Sequence, residues 1–274
     1  VTASLPAPRY ADLLALAVDV AREAAALVRR GRATAGDDVE VKSSPVDVVT
    51  AVDTAAERLV VDLLLRARPE DGVLGEEGAD RDGTSGVRWV IDPIDGTVNF
   101  LYDLPAYAVS IAAEVAGTVR AGVVLNVATG ELFTASSGGG AHLLAPGSPE
   151  PVRLVGGRPV SLEQSLIATG FGYRVEQRQV QGAVVAALLP RVRDIRRHGS
   201  AALDLCAAAA GRVDAYYELD LKPWDHAAGA LIAAEAGLVV TGLAGRPFAE
   251  PMAIAVAAGI AAPFLDLLTE LHGR

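Results

Sequence analysis

Two aspartates stand three residues apart in the run WVIDPIDGTVNF, where Asp92 and Asp95 bracket Pro93 and Ile94 directly after an apolar stretch. Like charges on one rigid turn repel, and the arrangement is costly unless a proton or a cation neutralises it. Carboxylate oxygens and an exposed backbone carbonyl, that of Ile94, suit a hard divalent cation such as Mg²⁺. Four scattered histidines and a single cysteine give little support for zinc. Gly96 and Thr97 follow at once and open a short helix, whose first amides and nearby hydroxyl form an anion site fit for phosphate. Metal and phosphate would then meet at one turn. The same residue types also build tight surface turns, and on this segment alone that reading stays open. Further acids recur in similar settings: Glu76 and Glu77 in GEEG after Val73 and Leu74, and Asp225 in PWDHAAG at the head of an alanine-rich helix. Taken singly, a solvated loop and a helix cap also account for them.

These residues must be held by the elements around them. Leu13, Leu16, Val20, Ala24, Leu27 and Val28 recur at helical spacing, and Gly31 is the expected stop of that opening helix. A second helical pattern over 53–68 carries Leu59, Leu63 and Leu64 and ends before Pro69; Thr50 and Asp53 sit at its start. From Arg88 the texture changes to β-rich runs, WVID, YAVSIAAEV, VRAGVVLN and ELFTAS, punctuated by Gly117 and Gly130, which predicts an antiparallel sheet. After the Pro/Gly-rich stretch 146–159, strands and helices alternate: LIATG, a helix over 177–189, VRDI, the alanine-rich GSAALDLCAAAAG, and DAYYEL. The expectation is an α+β half over 1–150 and an α/β half over 151–274, without independent motion.

Composition bounds the rest. Across 274 residues, 51% hydrophobic and 21% charged describe a globular chain with a sizeable core. A net charge of −10 gives the molecule no electrostatic reason to seek nucleic acid or an anionic membrane. The one dense basic run, Arg191, Arg193, Arg196 and Arg197, reads as a solvated strand edge or a subunit contact. Cys206, alone in an apolar run, reads as a buried structural thiol. Asp12, Asp19, Arg22 and Glu23 interrupt the first apolar stretch, so it lacks the core of a signal peptide, and the uncharged run 251–264 is about half the length of a membrane helix. The expected location is the cytoplasm.

Taken together, KSSPVDVVTAVD at 42–53, GEEG at 75–78, WVIDPIDGTVNF at 89–100, GSAALDLC at 199–206, DAYYEL at 214–219 and PWDHAAGA at 223–230 resemble, in order and spacing, the inositol monophosphatase family of lithium-sensitive phosphomonoesterases. The resemblance implies a layered αβαβα sandwich of the metal-dependent sugar phosphatase type, assembled as a homodimer. It implies two to three Mg²⁺ ions per site: Glu76, Asp92 and the Ile94 carbonyl match the ligands of the first, and Asp92, Asp95 and Asp225 those of the second. Glu76 would also help hold a weaker third ion. Thr97 matches the hydroxyl that orients the attacking water, and Asp53 the carboxylate that polarises it, with Glu76 assisting. The Gly96 and Thr97 amides match the phosphate site, and Ser200, Ala201, Glu218 and Asp225 the polyol pocket. Lys42, one of only two lysines, matches an auxiliary cation near the metals, whereas His226 matches no ligand. The implied activity is hydrolysis of myo-inositol monophosphate. The same metal core also serves relatives acting on histidinol phosphate or fructose 1,6-bisphosphate, and some bacterial relatives act by binding a protein partner.

Overall fold

The computed structural model describes residues 9–34, 39–44, 47–159 and 161–273. Helix α1 (Tyr10–Thr34) leads into the hairpin β1 (Val39–Ser44) and β2 (Asp47–Thr50), followed by α2 (Ala51–Ala67). The inward face of α1 is Leu13, Ala17, Val20, Ala21, Ala24 and Val28, with Leu16 and Leu27 partly covered beside it. Gly31 is not the stop that its residue type suggested, because the helix continues to Thr34. A Cβ at Gly31 would lie 2.7 Å from a methyl of Val52, so glycine is there to let α1 cross α2 closely. On α2 the buried apolar residues are Ala56, Val60 and Leu64, spaced at four, so the helix is turned slightly from the face that Leu59 and Leu63 would define.

The large sheet collects β3 (Gly72–Gly75), β4 (Asp80–Arg81), β5 (Val87–Asp95), β6 (Ala108–Val115), β7 (Thr118–Asn126), β8 (Leu132–Ser136), β9 (Gly140–Leu144) and β10 (Val152–Arg153), with the short α3 (Thr97–Leu101) between β5 and β6. Its eight strands lie in the order β10-β9-β8-β7-β6-β5-β3-β4. Neighbours run antiparallel except β3 and β5, which are parallel. The second sheet holds β11 (Leu166–Thr169), β12 (Asp194–Arg196), β13 (Ala215–Leu219), β14 (Val239–Thr241) and β15 (Met252–Val256), in the order β12-β11-β13-β15-β14. Here β11 pairs in parallel with both neighbours, as alternating strands and helices predict, but β15 runs antiparallel between β13 and β14. The remaining helices are α4 (Val175–Leu188), α5 (Ala201–Ala209), α6 (Pro223–Glu235) and α7 (Ala261–His272).

Strand alternation sorts side chains into three cores. Trp89 and Ile91 of β5 point to the core shared with α1 and α2, while Val90 points to a second core with α5 and α6. On β13, Tyr216 joins that second core and Tyr217 faces a third one built with α4 and α7. The layers are thus α1/α2, large sheet, α5/α6, second sheet and α4/α7, the αβαβα sandwich expected from the resemblance. Helices caught between two sheets must be apolar all round and narrow, which explains their alanines. Gly122 of β7 lies against the Ala228 backbone and Gly229 against Leu205, contacts a larger residue would block. Cys206 is buried in this layer. The uncharged run 251–264 is β15, a turn and the start of α7, and among the described residues no helix is long and apolar enough to cross a membrane.

Candidate active site

Strand β5 ends in the two aspartates, and its pairing with β6 loses register between Asp92 and Asp95, where Pro93 has no N–H to give. The break leaves both carboxylates inside the protein, Asp92 at 1% and Asp95 at 8% exposure. Asp92 Oδ1 accepts the Ile94 N–H at 3.1 Å. Asp95 reaches across to α5, where its Oδ2 accepts the Ser200 hydroxyl at 2.5 Å and the Ala202 N–H at 2.7 Å. Asp225, in the first turn of α6, is held by the Lys222 N–H at 2.6 Å. Glu76 stands in the turn after β3, with its N–H on the Ile91 carbonyl of β5 at 3.2 Å.

Electrostatics show how crowded the four acids are. Burial lifts the Asp92 carboxyl well above the ordinary range, and Glu76, Asp95 and Asp225 add to the rise. Asp95 is pushed up to about 7, again by burial, although the Ser200 and Ala202 hydrogen bonds pull it down. Burial and then Asp95 raise Asp225 well above its usual value. Among the described residues no three acidic, histidine or cysteine side chains already close on a common point, so the acids crowd without forming a finished cage. The donor set still fits one ligand: four carboxylates and the Ile94 carbonyl are hard oxygen donors whose mutual repulsion a divalent cation removes. The His226 ring packs edge-on against Phe248, and burial lowers its pKa to about 4.

Beside the acids lies a hydroxyl with a built support. Gly96 takes φ of 95°, and a Cβ there would sit 2.9 Å from the Ala106 carbonyl, so only glycine makes this turn. The Thr97 hydroxyl that follows is 3.1 Å from Asp53 Oδ1 and 3.2 Å from the Ile94 carbonyl. Asp53 is fully buried, and its other oxygen accepts the Thr50 N–H at 3.0 Å and the Thr50 hydroxyl. One residue thus does both structural jobs: the capping box of α2 holds the carboxylate that Thr97 meets. Burial raises Asp53 while the Thr50 and Thr97 hydrogen bonds oppose the rise.

The second half supplies the opposite wall. Ser200 caps α5, accepting the Leu203 N–H at 3.3 Å, and Ala201 is the first, buried residue of that helix. Glu218 lies on β13 with one oxygen 2.7 Å from the Tyr216 hydroxyl. Burial pushes it up to about 7, with Asp95 and Asp204 in electrostatic reach. The structure brings Asp53, Glu76, Asp92, Ile94, Asp95, Gly96, Thr97, Ser200, Ala201 and Asp225 into one neighbourhood with Glu218 at its edge. The Lys42 side chain lies outside the described residues. Of the basic run, Arg191, Arg193 and Arg196 are exposed on and around the edge strand β12, with Arg191 paired to Glu270 and Arg196 to Asp194, whereas Arg197 lies against Gly199 and within electrostatic reach of Glu218 and Asp204.

Several supporting residues escaped the sequence reading. Asn99 donates to the Ala106 carbonyl within the first half and to the His198 carbonyl of the second, both at 2.7 Å, and the latter contact ties the turn across. Buried Asp204 pairs with His198 beside Ser200. Tyr216 could have been found from its position two residues before Glu218, on the same strand face. Glu57, one helical turn after Asp53, accepts backbone N–H groups of the Glu76 turn.

Comparisons with known proteins converge on one assignment. A model of the inositol monophosphatase family matches residues 9–272. The chain is 49% identical over 280 residues to the inositol-1-monophosphatase SuhB of Mycobacterium tuberculosis, spanning 96% of this chain and 95% of that protein. It is 41% identical over 236 residues to the Nus factor SuhB of Escherichia coli K12, spanning 85% and 86%. The solved structure of Mycobacterium tuberculosis SuhB superposes with a TM-score of 0.84 at 47% identity, covering 97% of this chain and 98% of that one. The class so defined is that of the phosphomonoester hydrolases. The chain belongs to the inositol monophosphatase family.

Proposed function

We propose that the chain hydrolyses myo-inositol monophosphate to inositol and phosphate in a Mg²⁺-dependent reaction. The observation that carries this reading is the set of buried, mutually repelling acids, Asp92, Asp95 and Asp225 with Glu76, beside the Asp53–Thr97 pair. Glu76, Asp92, the Ile94 carbonyl, Asp95 and Asp225 are the residues that would hold two to three ions. When bound, Mg²⁺ supplies positive charge to the phosphate and the leaving oxygen and lowers the pKa of water.

The chain's own groups do the rest. Thr97 donates a hydrogen bond from its hydroxyl to Asp53, keeping its proton, which leaves its lone pairs to accept a hydrogen bond from the attacking water and aim it. Glu76 assists in taking up the proton of that water. The Gly96 and Thr97 amides hold phosphate oxygens. Ser200, Ala201, Asp225 and Glu218 receive the polyol, with Glu218 pairing a substrate hydroxyl, since a buried carboxylate left without that hydrogen bond is penalised. Lys42 adds positive charge nearby. We further propose a homodimer, and the lone buried cysteine suits the reducing cytoplasm.

A second reading has its own support: the Escherichia coli relative is named a Nus factor, so a protein-binding role could accompany or replace turnover. Phosphate release with and without Mg²⁺ tests both, over inositol 1-phosphate, histidinol phosphate, fructose 1,6-bisphosphate and 3'-phosphoadenosine 5'-phosphate. Preference for inositol 1-phosphate supports the proposal. Preference for another substrate keeps the chemistry and moves the error to the pocket around Glu218. No release from any of them favours the partner-binding reading.

A further inference from the structure

Asp53 and Glu57 stand four residues apart on α2 and both are buried, Glu57 at 4% exposure. Asp53 holds Thr97; Glu57 holds something else. Its Oε2 accepts the Glu77 N–H at 2.8 Å and its Oε1 accepts the Ala79 N–H at 2.9 Å. Those two amides belong to the turn between β3 and β4, the turn that begins with Glu76. The same turn is closed by the Gly75 N–H on the Ala79 carbonyl at 2.6 Å. Gly75 itself passes directly over the carboxylate, since a Cβ there would lie 2.3 Å from Oε2. An aspartate would be too short to span this distance from α2, and an uncharged side chain would lack the two acceptors. Hydrogen bonds from backbone N–H to an ionised carboxylate are about twice as strong as neutral ones, so this clamp is a firm one.

We propose that Glu57 is a positioning residue that fixes where Glu76 stands relative to Asp92, so that the one helix α2 sets both halves of the reacting centre: Thr97 through Asp53, and Glu76 through Glu57. The inference rests on the reading of Glu76 as a metal ligand. It predicts that loosening the clamp weakens cation binding far more than it affects substrate binding once cation is saturating.

The test uses Glu57→Gln, which keeps the side chain's size but turns an NH₂ toward one of the two amides, and Gly75→Ala, which leaves Glu57 intact and forces its carboxylate away. Mg²⁺ binding is measured by calorimetry on the full chain, amide hydrogen exchange is read at Glu77 and Ala79, and the melting temperature and KM at saturating Mg²⁺ are recorded alongside. Both variants are expected to speed exchange at the two amides and to weaken Mg²⁺ about tenfold, the usual cost of losing a group that orients a ligand, with KM within about twofold of wild type. Faster exchange or a lower melting temperature with unchanged Mg²⁺ affinity makes Glu57 merely structural and overturns the proposal, as does unchanged exchange. Glu76→Gln separates the two levels of failure. If it weakens Mg²⁺ and the Glu57 and Gly75 variants do not, the positioning role is wrong and the metal reading stands; if it leaves Mg²⁺ binding unchanged, both fall.

Discussion

Removing divalent cations should make the folded protein less stable as pH rises through 7, the reverse of what salt-bridged acids do. Asp95 and Glu218 hold values of about 7 in the folded chain against ordinary values of 3.8 and 4.5, because burial disfavours their charged forms. The folded state therefore keeps protons that the unfolded chain has already released. Its advantage is complete below the unfolded values and is lost as pH rises through the folded ones. Between pH 6.5 and 8.5 these two groups together lose about 2 kcal/mol. Asp92 and Asp225, raised well above their ordinary values by burial, act in the same direction, and Asp53, Asp204 and the His198 that Asp204 raises share that sign. His226, lowered by burial to about 4, opposes the trend by about half a kcal/mol as the unfolded chain gives up its histidine proton, and His272, also lowered by burial, acts in the same sense. From Asp95, Glu218 and His226 alone the net is a loss on the order of 1–2 kcal/mol, or roughly 3–6 °C in melting temperature. Scanning calorimetry in EDTA at the two pH values measures it, and a parallel series in saturating Mg²⁺ should show stabilisation that grows with pH, because the ion takes the ionised carboxylates. A melting temperature in EDTA that is flat or rises over this window, or Mg²⁺ stabilisation equal at both ends, would refute the reasoning.

Three further outcomes are expected. Asp95→Asn keeps the Ser200 and Ala202 contacts within reach but removes a charge from the cluster, so turnover should fall by about three orders of magnitude while circular dichroism stays native; activity retained in Mg²⁺ removes Asp95 from the site. Glu218→Gln should raise KM for inositol 1-phosphate about tenfold and leave p-nitrophenyl phosphate, which has no polyol hydroxyl, unaffected; equal effects on both substrates would place Glu218 outside the polyol pocket. Lithium should inhibit in a dose-dependent way through the Glu76 and Asp225 cluster, and a rate indifferent to rising lithium would count against that arrangement.

How much of this was legible in the chain depends on whether a residue's role is local. Asp92, Asp95, Gly96 and Thr97 could be read directly because a strand end, a proline, a required glycine and a helix start lie within six consecutive residues, and repulsion between near acids needs no tertiary knowledge. Glu57 was hidden because its two partners lie 20 and 22 residues away, and an acid in a helix is ordinarily a solvated one. His198 and Asp204 stand only six residues apart and were hidden for a different reason, since the sequence does not show that the α5 layer is sealed between two sheets. Gly31 was misread because a glycine after an apolar pair signals a helix end locally, whereas the crossing of α1 and α2 that requires it is a long-range fact. The run 251–264 offered only hydrophobicity, and only its pairing with β13 and β14 makes its first part a central strand.

A cluster of buried acids is an odd thing for a fold to keep, and its surroundings show how the cost is met. Each carboxylate is engaged by donors of the protein: Asp92 by the Ile94 amide, Asp95 by Ser200 and Ala202, Asp225 by Lys222, and Asp53 on one oxygen by Thr50 and on the other by Thr97. These donors come mostly from turns and helix starts, where backbone N–H groups lack partners of their own. They offset part of the desolvation without supplying a positive charge, which is what a site for a cation requires, since a buried arginine would satisfy the acids and close the site. Two of the helix starts, those of α5 and α6, belong to the middle layer, and the third, that of α2, to the outer one. The large sheet brings β5 to the point where all three meet, so the sandwich is the device that concentrates the charge.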